Sequence, residues 1–226
     1  MGEKFDFIIR TKSDLMEAVE RIGFLPLFRN SISGFSVEEH VSSAAWFSEE
    51  PGVWEWKGPV IQETHCAYGK FFENKAAFIS QEWFPDFANY RRDGYDFDAR
   101  YDDELASYKD KRLFDLLDAH APVLSKTLKR EGDYRKGGVT GFDTSINRLQ
   151  AQGYVIISNF VYLKDRFGKE YGWGVSEYST PEKFFGESFT STVYQREPEE
   201  SRQRILEYFH TILPEIPGQA LHKFLR

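Results

Sequence analysis

Apolar residues recur at helical intervals over Leu15, Ala18, Val19 and Ile22. With Ser13 or Asp14 as a cap and Gly23 as a stop, they predict a first helix. A weakly alternating stretch from Phe5 to Arg10 precedes it and reads as a short strand. After the apolar Phe24 to Phe28, serine, glycine, proline and glutamate interrupt the pattern as far as Pro59, so loops and short helical turns around Val37 to Phe47 are expected. Two aromatic runs, Tyr68 to Phe72 and Ala76 to Ser80, flank the turn-like Glu73-Asn74-Lys75 and predict a hairpin. Pro85 opens a short helix through Phe87, Ala88 and Tyr90. The charged stretch from Arg91 to Glu104, broken by Gly94, reads as an exposed connection, and no internal repeat is visible.

The pattern sharpens from Tyr108. Leu113, Phe114, Leu116, Leu117 and Ala119 mark a helix ended by His120-Ala121-Pro122. A second helix, capped by Ser125 and with Leu124 and Leu128 as apolar contacts, ends in the Gly132 to Gly138 segment. A third starts at Thr140 or Asp143 and turns Ile146, Leu149 and Gln150 inward, leaving Thr144, Ser145, Asn147, Arg148 and Gln152 on its other faces. Gly153 stops it as a left-handed cap, and Tyr154 to Leu163 is β-branched and aromatic. Lys164 to Lys169 makes a turn, and Tyr171 to Tyr178 returns as a strand. Three helices followed by a hairpin is the order of a winged helix-turn-helix. The expected fold class is therefore α+β: an aromatic-rich mixed region over 1–107, a winged helix-turn-helix over 108–180, and a helical segment over 181–226. The last contains Phe184, Phe185, Phe189 and an amphipathic helix from Glu199, packing back on the rest.

Composition changes this picture in three ways. Aromatic residues make up 17% of the 226, enough for a substantial core, with a base-stacking platform as the sharper use of one or two rings. A single cysteine, Cys66, leaves no intrachain disulfide and fits a reducing compartment, and no window holds the roughly 18 apolar residues of a spanning helix. A cytoplasmic protein with no membrane segment is expected. Net charge is -7, yet residues 108–180 carry 12 lysines and arginines against 9 acids, so a locally basic face on an acidic body is expected.

That face supplies the candidate binding residues. On the third helix Thr144, Ser145, Asn147, Arg148 and Gln152 carry groups that pair with base edges in a major groove. Lys126, Lys129, Arg130, Arg135 and Lys136, together with Arg166 and Lys169 at the hairpin turn, are cations of the kind that position a phosphate backbone. The partner this implies is double-stranded DNA.

Catalytic chemistry is harder to place. The five histidines lack metal-ligand spacing, Val37-Glu38-Glu39-His40 is not a zinc-hydrolase pattern, and His65 and Cys66 point to opposite faces of a strand. Asp93, Asp96, Asp98, Asp102 and Asp103 lack the calcium-loop pattern, and Arg91, Arg92 and Arg100 stand ready to neutralise them. Gly137-Gly138 lacks the lysine of a phosphate loop. No metal and no cofactor is expected, and no spacing selects among Glu82, Asp86 and Asp93 as a catalytic carboxylate.

Two stretches, Arg21 to Phe28 and Asn147 to Val155, resemble the AlkZ-like winged-helix DNA glycosylases, bacterial enzymes that excise alkylated purines or unhook crosslinks. The resemblance implies a role in DNA repair. It also implies a Gln-x-Gln or Gln-x-Asp motif whose side chains hold the attacking water. Pro26 and Phe28 stand at those positions here, and neither polarises water, so no catalytic residue is carried over. The leading expectation is a winged-helix protein related to DNA glycosylases that binds nucleic acid, with excision activity lost or rebuilt. Two alternatives stay open: a noncatalytic protein-interaction module, and a small-molecule enzyme whose pocket is lined by Trp54, Trp56 or Trp83.

Overall fold

The computed structural model describes residues 7–46, 51–168 and 170–226. Thr11, two positions before Ser13 and three before Asp14, is the cap that starts α1 (Lys12–Ile22): its side chain accepts from the Asp14 N–H, and the Asp14 carboxylate accepts from the Thr11 N–H at 2.9 Å. The strand β1 (Phe24–Pro26) and the short α2 (Val37–His40) and α3 (Ser43–Trp46) follow. The strand expected over Phe5 to Arg10 lies partly outside the described residues; of the rest, Ile9 alone bridges to Val41.

Next comes α4 (Val53–Thr64), where loop was expected as far as Pro59. Gly58-Pro59 reads as a breaker, but burial of Val53, Gly58, Val60 and Ile61 along one side holds the helix together, as tertiary packing commonly overrides local propensity. The predicted hairpin is present as β2 (Ala67–Phe72) and β3 (Lys75–Ile79). The Arg91 to Glu104 stretch departs from expectation: Arg92 ends α5 (Phe84–Arg92) as a buried residue, and Phe97 anchors α6 (Phe97–Asp102) in the core.

The second half gives α7 (Tyr108–His120), β4 (Val123–Leu124), α8 (Ser125–Glu131), α9 (Phe142–Ala151), β5 (Ile156–Lys164) and β6 (Glu170–Ser179). Its sheet has the order β4-β6-β5, and the first sheet has the order β1-β3-β2. Both halves thus run helix, strand, helices, strand, strand, with the first strand paired antiparallel to the last. A repeat that the sequence does not display is present in the topology.

The two copies face each other reciprocally. Helix α4 packs on β5, α9 packs on β2, and β2 meets β5. Near the end of each of these helices a glutamine reaches across: Gln62 Nε2 donates to the Ser158 carbonyl at 2.6 Å, and Gln150 Oε1 accepts from the Lys70 N–H at 3.2 Å. Three residues after each glutamine the backbone turns left-handed, at His65 (φ 52°) and Gly153 (φ 76°). Gly58 and Gly69 stand at the crossings. A Cβ on Gly58 would press on Asn159 Oδ1 at 3.1 Å, and one on Gly69 on Gln150 Oε1 at 3.2 Å. Gln150 is buried, so Gln150→Ala is expected to cost about 1–3 kcal/mol in chemical denaturation by leaving the Lys70 N–H unpaired; Gln62→Ala, at an exposed residue, is expected to cost less.

The final segment comprises α10 (Pro181–Phe185), α11 (Glu187–Thr190), α12 (Pro198–Ile212) and α13 (Gly218–Leu225). Its long helix α12 packs on α5, and Phe209 and Phe224 meet Phe24, Phe35 and Phe72. It therefore lies largely against the first half. One hydrophobic cluster joins Ile9 to Leu225 through both sheets.

Candidate nucleic-acid interface

Helix α9 buries Phe142, Ser145, Ile146, Leu149 and Gln150 against α7 and β2. Ser145 was expected among the outward groups; at 4% exposure it is not available to a ligand. Ser145 stands one turn from Phe142 and from Leu149 and is buried beside them, while Gln150, at the other edge of the buried arc, meets β2. The Gln150-Ala151-Gln152 triplet is resolved in the same way: Gln150 is committed to Lys70 and the Ile146 carbonyl, and Gln152 is the C-terminal cap residue. Asp143, Thr144 and Arg148 are exposed and Asn147 is half-buried, so these residues define the open face.

Cations gather beside it. Lys126, Lys129 and Arg130 are exposed on α8, and Arg135 and Lys136 are exposed in the segment leading to α9. Over 125–148 the chain carries six lysines and arginines against the three acids Glu131, Asp133 and Asp143. Those acids are engaged: Asp143 lies 3.4 Å from Lys129, Glu131 2.9 Å from Arg130, and Asp133 2.5 Å from Arg135. Exposed pairs of this kind are weak and exchange readily with another anion. Lys126, Lys136 and Arg166 have no carboxylate within 4.0 Å among the described residues.

At the hairpin turn Asp165 Oδ1 accepts from the Phe167 N–H at 2.8 Å, and the Arg166 guanidinium sits 4.6 Å from the Phe167 ring centroid. Phe167 and Trp173 are almost fully exposed. Lys169 lies outside the described residues.

The equivalent helix of the first half is different. On α4 the outward positions are Pro59, Gln62 and Glu63, with Glu55 half-buried, and they border clefts of about 590 and 600 Å³ against β5 and β6. Its one lysine, Lys57, is buried between Trp54 and Phe160, with Nζ 4.4 and 4.3 Å from the two ring centroids. The charge favourable to a polyanion is thus confined to one of the two repeated helices.

The carboxylates considered from sequence are placed otherwise. Asp86 is buried and bonded to Ser201 and Arg204, with Arg196 at 3.6 Å; Asp93 is the left-handed cap of α5, and Glu82 is exposed. Pro26 pairs with Ala77 in the sheet, and Phe28 packs on Trp46 and Trp54. Trp54, Trp56 and Trp83 are half-buried against the core, Trp83 stacking on Tyr208 at 4.3 Å. Sequence reasoning missed Asp110, which pairs with Arg148 from 38 residues away and counted only as one more acid. It also missed Lys57, hidden in a stretch read as loop.

No helix among the described residues is long and apolar enough to cross a membrane. The chain is a mixed α+β protein of helices and two small antiparallel sheets, with a group of exposed cations on α8 and in the segment leading to α9. It belongs to the AlkZ-related family, whose model matches residues 9–226. No curated protein and no solved structure matches it.

Proposed function

We propose that the chain is a tandem winged-helix protein that binds double-stranded DNA through its second unit, residues 108–180, with the excision chemistry of DNA glycosylases lost or rebuilt. In this reading 1–107 is built around the first winged-helix unit, and 181–226 is the segment that braces it. Helix α9 is the groove-facing helix, α8 and the segment after it meet the phosphate backbone, and the β5–β6 hairpin is the wing. The observation that carries the reading is the open side of α9 with six cations on and beside it, while α4, its topological counterpart, presents acids. Membership of the AlkZ-related family supports it. Pro26 and Phe28 provide no group that could hold a water, which supports the loss of the ancestral step.

Duplex affinity is expected to fall with added salt, log K losing about 0.9 per phosphate neutralised for each unit of log salt. Lys126→Gln, Lys136→Gln and Arg166→Gln are each expected to weaken all sequences alike and to reduce that slope by about 1. Binding indifferent to salt would favour a protein-docking role. Incubation with duplexes carrying alkylated purines, followed by alkali, tests excision: strand breaks at the lesion would show that the activity has been rebuilt.

A further inference from the structure

The geometry points to Arg148 as a guanine-reading residue on the open face of α9, held in position by Asp110; this rests on the nucleic-acid reading above. Arg148 Nη1 donates to Asp110 Oδ2 at 2.6 Å. Asp110 is 2% exposed, and its other oxygen, Oδ1, is buried without a partner. Ser107 Oγ accepts from the Asp110 N–H at 3.2 Å and so holds the first turn of α7 that carries the carboxylate. The Arg148 side chain is 47% exposed, and its Nε and Nη2 make no hydrogen bond to the described residues.

Three physical consequences follow. A guanidinium tied at one nitrogen to a buried acceptor has lost most of its rotamer freedom, so less entropy remains to be lost on binding. The adjacent carboxylate offsets its charge, which weakens attraction to a lone phosphate relative to hydrogen-bond recognition. The remaining donors, Nε–H and Nη2–H, lie in parallel along one edge and match two acceptors set side by side. In the major groove guanine alone offers such a pair, O6 and N7. Lys126, Lys136 and Arg166 have no comparable buried anchor among the described residues and suit the backbone instead.

The test compares a short guanine-containing duplex with the same duplex bearing 7-deazaguanine, which lacks the N7 acceptor, by fluorescence anisotropy with the full chain. The wild type is expected to bind the deaza duplex roughly ten-fold more weakly. Arg148→Ala and Arg148→Met are expected to bind both duplexes equally, and Asp110→Asn to narrow the preference while keeping overall affinity. Thermal melts confirm folding; should Asp110→Asn unfold, the two half-exposed Arg148 variants still decide the matter. Equal wild-type affinity for both duplexes overturns the inference. So does an Arg148→Ala loss common to both duplexes with the salt slope reduced by about 1, which marks a phosphate contact. Both results leave the DNA-binding reading standing, whereas absence of any duplex binding at low salt overturns the two together.

Discussion

Arg92→Ala is expected to lower the unfolding free energy by roughly 3–5 kcal/mol, the largest single-residue loss anticipated outside the apolar core. The side chain is 1% exposed at the end of α5. Its Nη1 donates to Glu182 at 2.6 Å and to the Tyr194 hydroxyl at 2.9 Å, and Nη2 donates to the Gly153 carbonyl at 2.8 Å. The guanidinium also lies 4.6 Å from the Tyr154 ring centroid and 5.2 Å from that of Phe189. One buried cation thus joins α5, the turn that ends α9, and the start of the final segment. Alanine leaves the Gly153 carbonyl without this donor, together with a cavity where the stem and guanidinium had packed. Glu182→Gln is expected to cost about 1 kcal/mol, because the amide oxygen still accepts and Glu182 is itself partly solvated. Urea unfolding followed by far-ultraviolet circular dichroism measures both. A loss under about 1 kcal/mol for Arg92→Ala would show that the buried pair contributes no net stability.

Lys57→Met is expected to act in the opposite direction and stabilise the protein by about 1–3 kcal/mol at pH 7. Burial pushes the Lys57 ammonium down from 10.5 to about 8, with Glu55 opposing the shift only in part. Between pH 8 and 10.5 the unfolded chain holds this proton more firmly than the folded one, so stability rises with pH across that window. Below pH 8 the cost of the buried charge is fully present. A fall of about 2.5 units at 1.36 kcal/mol each sets an upper limit near 3 kcal/mol, and attraction to the Trp54 and Phe160 rings offsets part of it. Methionine fills the same space without charge.

The window has to be read below pH 10, because burial raises the hydroxyls of Tyr178 and Tyr208 to about 12. Above pH 10 the unfolded chain ionises first at these tyrosines and stability falls. The measurement is the urea midpoint at steps from pH 7.5 to 9.5: a rise in the wild type that Lys57→Met lacks supports the assignment. Parallel curves would mean that Lys57 is hydrated in solution.

The second half of the chain was legible because its signals are local. Gly153 stops α9 and the switch to β-branched residues starts β5 within a few positions, so neither boundary depends on distant contacts. The hairpin β2–β3 was equally plain from its turn, with Glu73 and Asn74 both at positive φ. These features belong to the sequence by itself: the three helices and hairpin from Tyr108, though not the short β4 between the first two, both hairpins, the single cysteine, and the excess of cations between 125 and 148.

Tertiary structure decided the rest. Periodicity reports which face of a helix is apolar, not how far burial extends to either side of it; Ser145 is buried at one edge of the apolar stripe of α9, and Gln150 at the other edge is committed to β2. Helix α4 persists through Gly58-Pro59 because β5 packs against it, and that same contact closes over Lys57. The Arg148–Asp110 pair and the bonds of Arg92 join residues far apart in the chain, and no local rule encodes which acid a given arginine will meet. The repeated topology is likewise invisible in sequence, since a strand order is set by which chains pair in space, and many different side chains satisfy the same pairing.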